Sequence, residues 1–200
     1  TPPEQMPIIG GALAGYVNKT IVAQANHCGL AAVGLSLSDG NMAACALSQE
    51  NLGAVGVPAP QSSRLLDTLL KAGFMPIISS IGVLNSPKSE GEEGQLLNVN
   101  ADDAAVAVCQ LLNANLLLLT DVSGVRGADG KDMASLNSTQ ANDLIKQGVI
   151  AGGMTAKVNA ALLAANKLRR SIVVASWQSP EKIADLSAGE TIGTRIQPDE

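Results

Sequence analysis

Short apolar runs alternate with helical segments along the 200 residues of this chain. Several of these runs, such as Leu30–Leu37, Phe74–Val83 and Leu116–Leu119, are apolar on both faces of a strand. A strand of that kind must be covered by helices on both sides, which is typical of parallel sheets. The sequence therefore predicts an α/β fold, a three-layer α/β/α sandwich with a mainly parallel central sheet.

The composition excludes two classes of partner. Apolar residues make up 46% of the chain and charged residues 16%, which is a globular balance. With 13 Lys and Arg residues and a net charge of -5, the chain lacks the basic face of a nucleic-acid binder. Because no apolar run is long enough to span a bilayer, we expect neither nucleic acid nor membrane as a partner.

The cysteines indicate a reducing compartment. Cys28, Cys45 and Cys109 are odd in number, and their spacing matches no disulfide or metal framework. We predict three buried, reduced thiols and a cytoplasmic location. His27 is the only histidine, which argues against a Ser-His-Asp triad and against a histidine metal site.

A helix is predicted at the start of the chain. Thr1 and Glu4 have the spacing of a capping box, proline suits the first turn, and Gly29 is a plausible end. The stretch Gly10–Gly15 is unusually small-sided, and glycines inside a helix cost about 1 kcal/mol each relative to alanine. Close approach to a second copy of the chain would compensate that cost, and close packing within the monomer would do so equally well.

In open α/β sheets, ligands bind where strands end and helices begin. At the first such place, Asn98 and Asn100 lie two residues apart and would point the same way on an extended segment. Asp102 follows at the start of a helix predicted over Ala101–Leu112. Two amides and an acid suit a polar substrate, although a carboxylate in a first helical turn is also an ordinary feature of helices.

Two further places have the same character. Asp121–Val125 follows a leucine-rich strand, either as a ligand edge or as a simple turn in which Asp121 caps local amides. Gly152 and Gly153 precede an alanine-rich helix, where free backbone N–H groups can meet an anion. Lys157 lies one turn further on and can lean back towards that end, although a lone lysine on a helix is usually just solvated. The sequence contains neither a Walker A motif nor a GxGxxG fingerprint.

In order and spacing, these segments resemble the amino-acid kinase superfamily and, within it, the N-acetylglutamate kinases. The resemblance rests on Thr1–Thr20, Ile78–Gly82, Gly94–Asp102, Thr120–Gly124, Gly153–Ala161 and Gly193–Ile196. It implies transfer of the γ-phosphoryl group of MgATP to the side-chain carboxylate of N-acetyl-L-glutamate, an early step of arginine biosynthesis. An ionised carboxylate needs no general base, which agrees with the scarcity of histidine.

The resemblance also implies roles for individual residues. Lys157 would stabilise the transition state and Asp102 would organise the catalytic lysines, while Asn98 and Asn100 would bind acetylglutamate. The nucleotide would contact Asp121, Val122, Ser123, Gly124, Val125, Arg126, Val149, Ile150, Ala151 and Met154. Mg²⁺ would arrive with ATP, so no protein metal site is expected. Residues 1–94 would belong to an acetylglutamate-binding and dimerisation lobe, and residues 95–200 to an ATP-binding lobe that shares one continuous sheet.

The chain departs from the family in one respect. The family's Lys-x-Gly-Gly strand, a second glycine-rich loop and a substrate-gripping arginine do not occur in these 200 residues. We therefore expect a chain truncated at the N-terminus, with little or no kinase activity by itself, that dimerises through the helix near residues 4–28. The alternatives are a non-catalytic nucleotide-binding module and an aspartate, glutamate, carbamate or uridylate kinase.

Overall fold

The computed structural model describes residues 1–85, 94–187 and 192–199. Most of the segment that the sequence predicts as a surface loop, residues 85–94, lies outside these ranges. The chain divides into two compact units, Thr1–Ala114 and Asn115–Glu200.

The first unit opens with a continuous helical stretch. A 3₁₀ turn over Pro3–Gln5 leads into α1 (Met6–Gly10), a π-helical segment over Gly11–Val17 and α2 (Asn18–His27), before Gly29 adopts a φ of 85°. The expected capping role of Thr1 is wrong. The residue before the 3₁₀ turn is Pro2, and no side chain caps that turn. The backbone of Thr1 is instead held by residues 52–54, since its amino group donates to Leu52 O and its carbonyl accepts from Ala54 N, both at 2.7 Å.

Two sheets follow in the same unit. The elements are β1 (Ala32–Ser36), β2 (Ala43–Leu47), β3 (Val55–Pro60), α3 (Arg64–Lys71), β4 (Met75–Ser79), β5 (Ile81–Val83), β6 (Leu96–Val99) and α4 (Ala101–Leu112). In the smaller sheet, β1 and β4 are parallel. In the larger sheet the order is β2-β3-β6-β5, with β2–β3 an antiparallel hairpin, β3–β6 parallel and β5–β6 antiparallel. The buried core of this unit includes Met6, Leu37, Cys45, Leu97 and Val99.

The second unit contains β7 (Leu117–Thr120), β8 (Ser135–Leu136), α5 (Ser138–Lys146), α6 (Gly153–Leu168), β9 (Ile172–Ser176), α7 (Pro180–Ser187) and β10 (Thr194–Ile196). Its strands form a four-stranded sheet of order β7-β9-β10-β8, in which β7–β9 and β8–β10 are parallel and β9–β10 is antiparallel. Helix α6 packs on β9 and β10, and Leu136, Val158, Ile172 and Ile196 are almost completely buried.

The α/β class is confirmed, with differences in detail. Parallel pairs outnumber antiparallel pairs by four to three, and the strands of the described residues form three sheets. The chain changes from the smaller to the larger sheet between β4 and β5, where it bends at Ser80. The N–H of Leu37 holds this bend, because it donates to both Ser79 O and Ile81 O at 3.1 Å. In the described part of the chain, no helix is long and apolar enough to cross a bilayer.

The division between the units falls after Ala114, whereas the sequence suggested a boundary after Gly94. The reason is that β6 pairs with β3 and β5, and α4 packs on β3, so both elements belong to the first unit. The assignment of one lobe to acetylglutamate and the other to ATP stays a prediction.

Candidate functional site

The candidate site of the second unit lies where β7 and β9 end. The two strands are parallel, and their last residues, Thr120 and Ser176, are partners in the register. Trp177 N–H donates to Thr120 O at 3.0 Å, so the segments that leave the two strands stay together. Neighbouring carboxyl ends of this kind are where open α/β sheets bind ligands.

A cavity of about 600 Å³ opens at this edge. Nine of the ten residues predicted to contact a nucleotide line it: Asp121, Val122, Ser123, Gly124, Arg126, Val149, Ile150, Ala151 and Met154. The tenth, Val125, is only 1% exposed and belongs to the packing of the loop. The structure thus brings this set together, and its role in nucleotide binding stays a prediction.

Three lining residues were missed by the sequence reasoning. Ser176, Gln178 and Ser179 add hydroxyl and amide groups to the cavity. The strand before them was predicted, but its pairing with β7 joins segments more than 50 residues apart and leaves no local signal. Only the general rule that ligands gather at strand ends could have indicated them.

The start of α6 borders the cavity through Met154. Gly152 precedes the helix with φ 58° and ψ -137°, a conformation that is essentially restricted to glycine. No side chain caps the helix, so N–H groups of its first turn lack an intrahelical partner. Such a helix start, with its positive dipole end, is suited to an anion.

Lys157 makes an ion pair with Asp121 from this helix. Its Nζ contacts Asp121 Oδ1, and the side chains are 41% and 62% exposed, respectively. The hydrogen bond from Lys157, aided by a hydrogen bond from the backbone of Asp121 itself and by the charge of the lysine, lowers the pKa of the Asp121 carboxyl. The lysine is therefore paired with a solvent-exposed carboxylate of the cavity lining, which a bound anion could replace.

The loop after β7 is an organised turn. Val122 N–H donates to Thr120 Oγ1, and that hydroxyl donates to Val122 O, both at 3.1 Å. Two side chains thus bind the local backbone: Thr120, which the sequence did not indicate, and Asp121, whose carboxylate accepts from its own backbone N–H as the simple-turn interpretation expects. Ser123 Oγ donates to Asp132, which ties the loop to the returning chain.

The other predicted residues lie in the first unit. Asn100 Oδ1 accepts from the N–H groups of Asp102 (2.8 Å) and Asp103 (3.3 Å), so Asn100 is the N-cap of α4 and Asp102 lies in its first turn. Asn98 Nδ2 donates to Thr1 Oγ1 at 3.1 Å. These contacts position all three side chains at one strand–helix junction, and their roles towards acetylglutamate and the catalytic lysines stay predictions.

The cysteines are all free, as expected, but Cys28 is exposed, because it caps the end of α2 at the surface. The expected burial is thus wrong for this residue and right for Cys45 and Cys109. Burial raises the pKa of the Cys45 thiol, and a hydrogen bond with the backbone of Val83 partly offsets that effect. Within the ranges that the structure describes, no three His, Cys, Asp or Glu side chains lie close enough to hold a metal ion.

Comparison with known proteins agrees with this architecture. The sequence profile of the amino acid kinase family matches residues 1–176. Acetylglutamate kinase from Colwellia psychrerythraea (strain 34H) is 65% identical over 198 residues, which cover 99% of this chain and 74% of that protein. Acetylglutamate kinase from Vibrio vulnificus (strain YJ016) is 52% identical over 198 residues, which cover 99% and 73%.

Among solved structures, the chain is similar to smu.665 from Streptococcus mutans UA159, with a TM-score of 0.74 and 25% sequence identity. That match covers 100% of this chain and 74% of the solved chain. The fold, the profile and the identity to its relatives agree, and the chain belongs to the amino acid kinase family, in which it is similar to the acetylglutamate kinases.

Proposed function

We propose that the protein is an ATP-dependent carboxyl kinase that transfers the γ-phosphoryl group of MgATP to the γ-carboxylate of N-acetyl-L-glutamate. The observation that carries the proposal is the cavity of the second unit, which nine predicted nucleotide-contacting residues and the first turn of α6 line together. The 65% identity to the Colwellia acetylglutamate kinase supports the choice of acceptor. The cysteine pattern and the arginine-biosynthetic role suggest a cytoplasmic enzyme.

The cavity suits a nucleotide in size and lining. Its volume of about 600 Å³ lies in the ordinary range for small-molecule sites, ~300–1,000 Å³. Val122, Val149, Ile150 and Met154 offer apolar contact to a base, while Ser176 and Gln178 offer polar groups that could fix its orientation. The phosphates would lie towards the uncapped start of α6, where backbone N–H groups and Lys157 favour negative charge.

The proposed chemistry needs charge stabilisation more than proton transfer. The acceptor carboxylate is already ionised at neutral pH, so no side chain has to remove a proton from it. Catalysis then consists of aligning two anions and neutralising the charge on the transferring phosphoryl group. Lys157 fits this task, because its partner in the structure is an exposed carboxylate that it can exchange for phosphate oxygens.

Mg²⁺ would be held mainly by the nucleotide. The described residues contain no cluster of three acidic, histidine or cysteine side chains. Mg²⁺ usually keeps several waters and takes one or two carboxylates together with substrate phosphates. Such a coordination fits this cavity, where Asp121 is the predicted contact residue that carries a carboxylate. The ion would supply charge neutralisation at the phosphates of the nucleotide.

The acetylglutamate side of the proposal rests on Asn98, Asn100 and Asp102. Asn98 offers an amide that is half-buried and already oriented by Thr1, as a substrate-positioning group would be. Asn100 holds the start of α4, so its contribution would be to keep Asp102 in the first turn of that helix. We propose that Asp102 orients the catalytic lysines and that Asn98 contacts the substrate.

We also propose that the protein dimerises through the helical stretch Pro3–His27. Ile8 and Tyr16 are 75% and 78% exposed on this stretch, a large apolar surface for one helix. A methyl group added at Gly11 or Gly15 would meet nothing within 4 Å, so packing within the chain does not require these glycines. A second copy of the chain would use that room and cover the exposed side chains.

Light scattering would test the dimer. A wild-type dimer that Tyr16→Glu dissociates, while Lys71→Glu on α3 does not, would support this interface. A wild-type monomer at micromolar concentration would exclude it.

Two measurements test the catalytic proposal. Calorimetric titration of the chain with MgATP asks whether the cavity binds nucleotide, with Met154→Glu as a variant that introduces negative charge at its lining. A coupled ADP-release assay on the full-length protein then compares acetylglutamate with glutamate, aspartate, carbamate and uridylate as phosphoryl acceptors. Turnover with acetylglutamate alone supports the proposal. Preference for another acceptor, or nucleotide binding without turnover of any acceptor, would refute it in favour of another kinase or a non-catalytic module.

A further inference from the structure

The loop that lines the cavity leads into a short antiparallel pairing around Arg126 and Asp132, in which one backbone hydrogen bond is replaced. Met133 N–H donates to Val125 O at 2.8 Å, and Gly127 N–H donates to Lys131 O at 2.9 Å. In an antiparallel pair of this kind, the two residues ordinarily exchange both N–H···O bonds. Here the reciprocal bond, from Val125 N–H to Met133 O, is replaced by a side chain.

That side chain is Thr194 on β10. Its hydroxyl accepts from Val125 N–H at 2.8 Å and donates to Met133 O at 2.7 Å. One oxygen therefore completes the pairing of Val125 with Met133 from a strand that lies 61 residues after Met133 and 69 residues after Val125. Both the donor and the acceptor of the hydroxyl are used, so the geometry is fixed from two sides.

The surroundings of Thr194 make this bridge costly to lose. Thr194 is 0% exposed and Val125 is 1% exposed, so water does not reach Val125 N–H readily. A buried backbone donor without a partner carries the full cost of desolvation. The same position is crowded, since a methyl group added at Gly124 would lie 2.8 Å from Thr194 Oγ1. The loop therefore approaches the hydroxyl so closely that a side chain at position 124 would collide with it.

We infer that Thr194 is a positioning residue for nucleotide binding. It touches no part of the cavity itself; by bridging Val125 and Met133 it holds the segment Asp121–Arg126 in the place where five of its residues line the cavity. The inference rests on the proposed function for the identity of the ligand. It goes beyond that function because it proposes that a single hydroxyl outside the cavity keeps the cavity-lining loop in place.

The test compares Thr194→Val, which keeps the shape and removes the hydroxyl, with Thr194→Ser, which keeps the hydroxyl. Loss of a buried hydrogen bond of ordinary strength corresponds to about a tenfold change in an equilibrium constant. We expect Thr194→Val to raise the Kd for MgATP about tenfold, and to speed amide exchange of Val125 by a similar factor. Thr194→Ser should restore both to within about twofold, and exchange in β9 should stay unchanged in each variant.

Matched controls separate positioning from general destabilisation. Thr68→Val removes a hydroxyl that donates to Arg64 O on α3, in the other unit, and should leave the Kd for MgATP unchanged. If Thr194→Val does not fold, Thr194→Ala removes the hydroxyl without placing a methyl group between polar atoms, and the same expectations apply.

Three outcomes are decisive. A folded Thr194→Val variant with wild-type Kd and wild-type exchange at Val125 would overturn the inference. Equal defects in Thr194→Ser and Thr194→Val would overturn it too, since packing and not the hydroxyl would then be responsible. If the wild-type protein does not bind MgATP, the proposed function fails, while exchange at Val125 still decides whether Thr194 orders the loop.

Discussion

Gly193→Ala is the substitution for which the structure gives the most definite expectation. Gly193 precedes β10 with a φ of 58°, and a Cβ there would lie 2.0 Å from Val174 O and 2.9 Å from Val174 C. Both are backbone atoms of the neighbouring strand β9, so no change of rotamer can relieve the contact. Ordinary van der Waals contact begins at 3.4 Å, so the two strands would have to separate by about 1.4 Å (3.4 minus 2.0).

Two effects determine how much Gly193→Ala lowers the free energy of unfolding. The left-handed conformation costs an L-residue about 1–2 kcal/mol, and forcing extra volume into a packed site costs about 1–3 kcal/mol. Gly193→Ala should therefore lower the free energy of unfolding of the second unit by about 2–5 kcal/mol. The matched control is Gly130→Ala, since Gly130 has a φ of 76° and a Cβ there would meet nothing within 4 Å. It should cost only the conformational part, about 1–2 kcal/mol.

Urea denaturation followed by tryptophan fluorescence provides the assay. Trp177 is the single tryptophan of the chain and lies in the second unit, directly after β9. Gly193→Ala should unfold at a clearly lower urea concentration than Gly130→Ala, with a similar slope. Equal midpoints for the two variants would refute the argument, because the close approach of β10 to β9 would then have no energetic consequence.

Three further predictions concern the core and the site. Gly82→Ala should destabilise the first unit by about 1–3 kcal/mol, since its Cβ would lie 2.4 Å from Cys45 Sγ; an unchanged urea midpoint by circular dichroism would contradict this. Lys157→Met should lower kcat by about 10²–10³-fold and lower thermal stability only slightly, because the ion pair that it loses is solvent-exposed; Lys146→Met at the exposed end of α5 should change neither, and equal kcat values would exclude the role of Lys157. The pKa of the Asp121 carboxyl lies below its ordinary value because of Lys157. The ion pair therefore stabilises the folded state at pH values above the pKa that this carboxyl has in the unfolded chain, and this stabilisation is lost as the pH falls through the pKa that it has in the folded protein. NMR titration should show that pKa rising in Lys157→Met, and an unchanged value would mean that the ion pair does not form in solution.

Much of the site could be predicted because its signals are local. Helix α4 has the predicted bounds, Ala101–Leu112, and the structure adds that Asn100, predicted as a substrate-binding amide, is its N-cap. Gly152 marks the start of α6 through a backbone conformation that only glycine adopts readily. The rule that ligands bind at strand ends then identified the segments around Asp121 and Lys157.

What the sequence could not predict depends on contacts between distant segments. Ser176 reaches the cavity because β9 pairs with β7, and Thr194 completes a hairpin to which it has no sequence proximity. Thr1 has a good capping side chain, yet its backbone pairs with Ala54 and tertiary contact overrides the local preference. Strand β8, Ser135–Leu136, is two residues long, which is too short to show any periodicity.

A crystal structure of the protein with Mg²⁺ and a non-hydrolysable ATP analogue would show whether the cavity is the nucleotide site. We expect the analogue in the cavity at the ends of β7 and β9, its phosphates at the first turn of α6, and Lys157 Nζ within hydrogen-bond distance of the terminal phosphate instead of Asp121. An analogue bound elsewhere, or one bound in the cavity while Lys157 stays paired with Asp121, would contradict it.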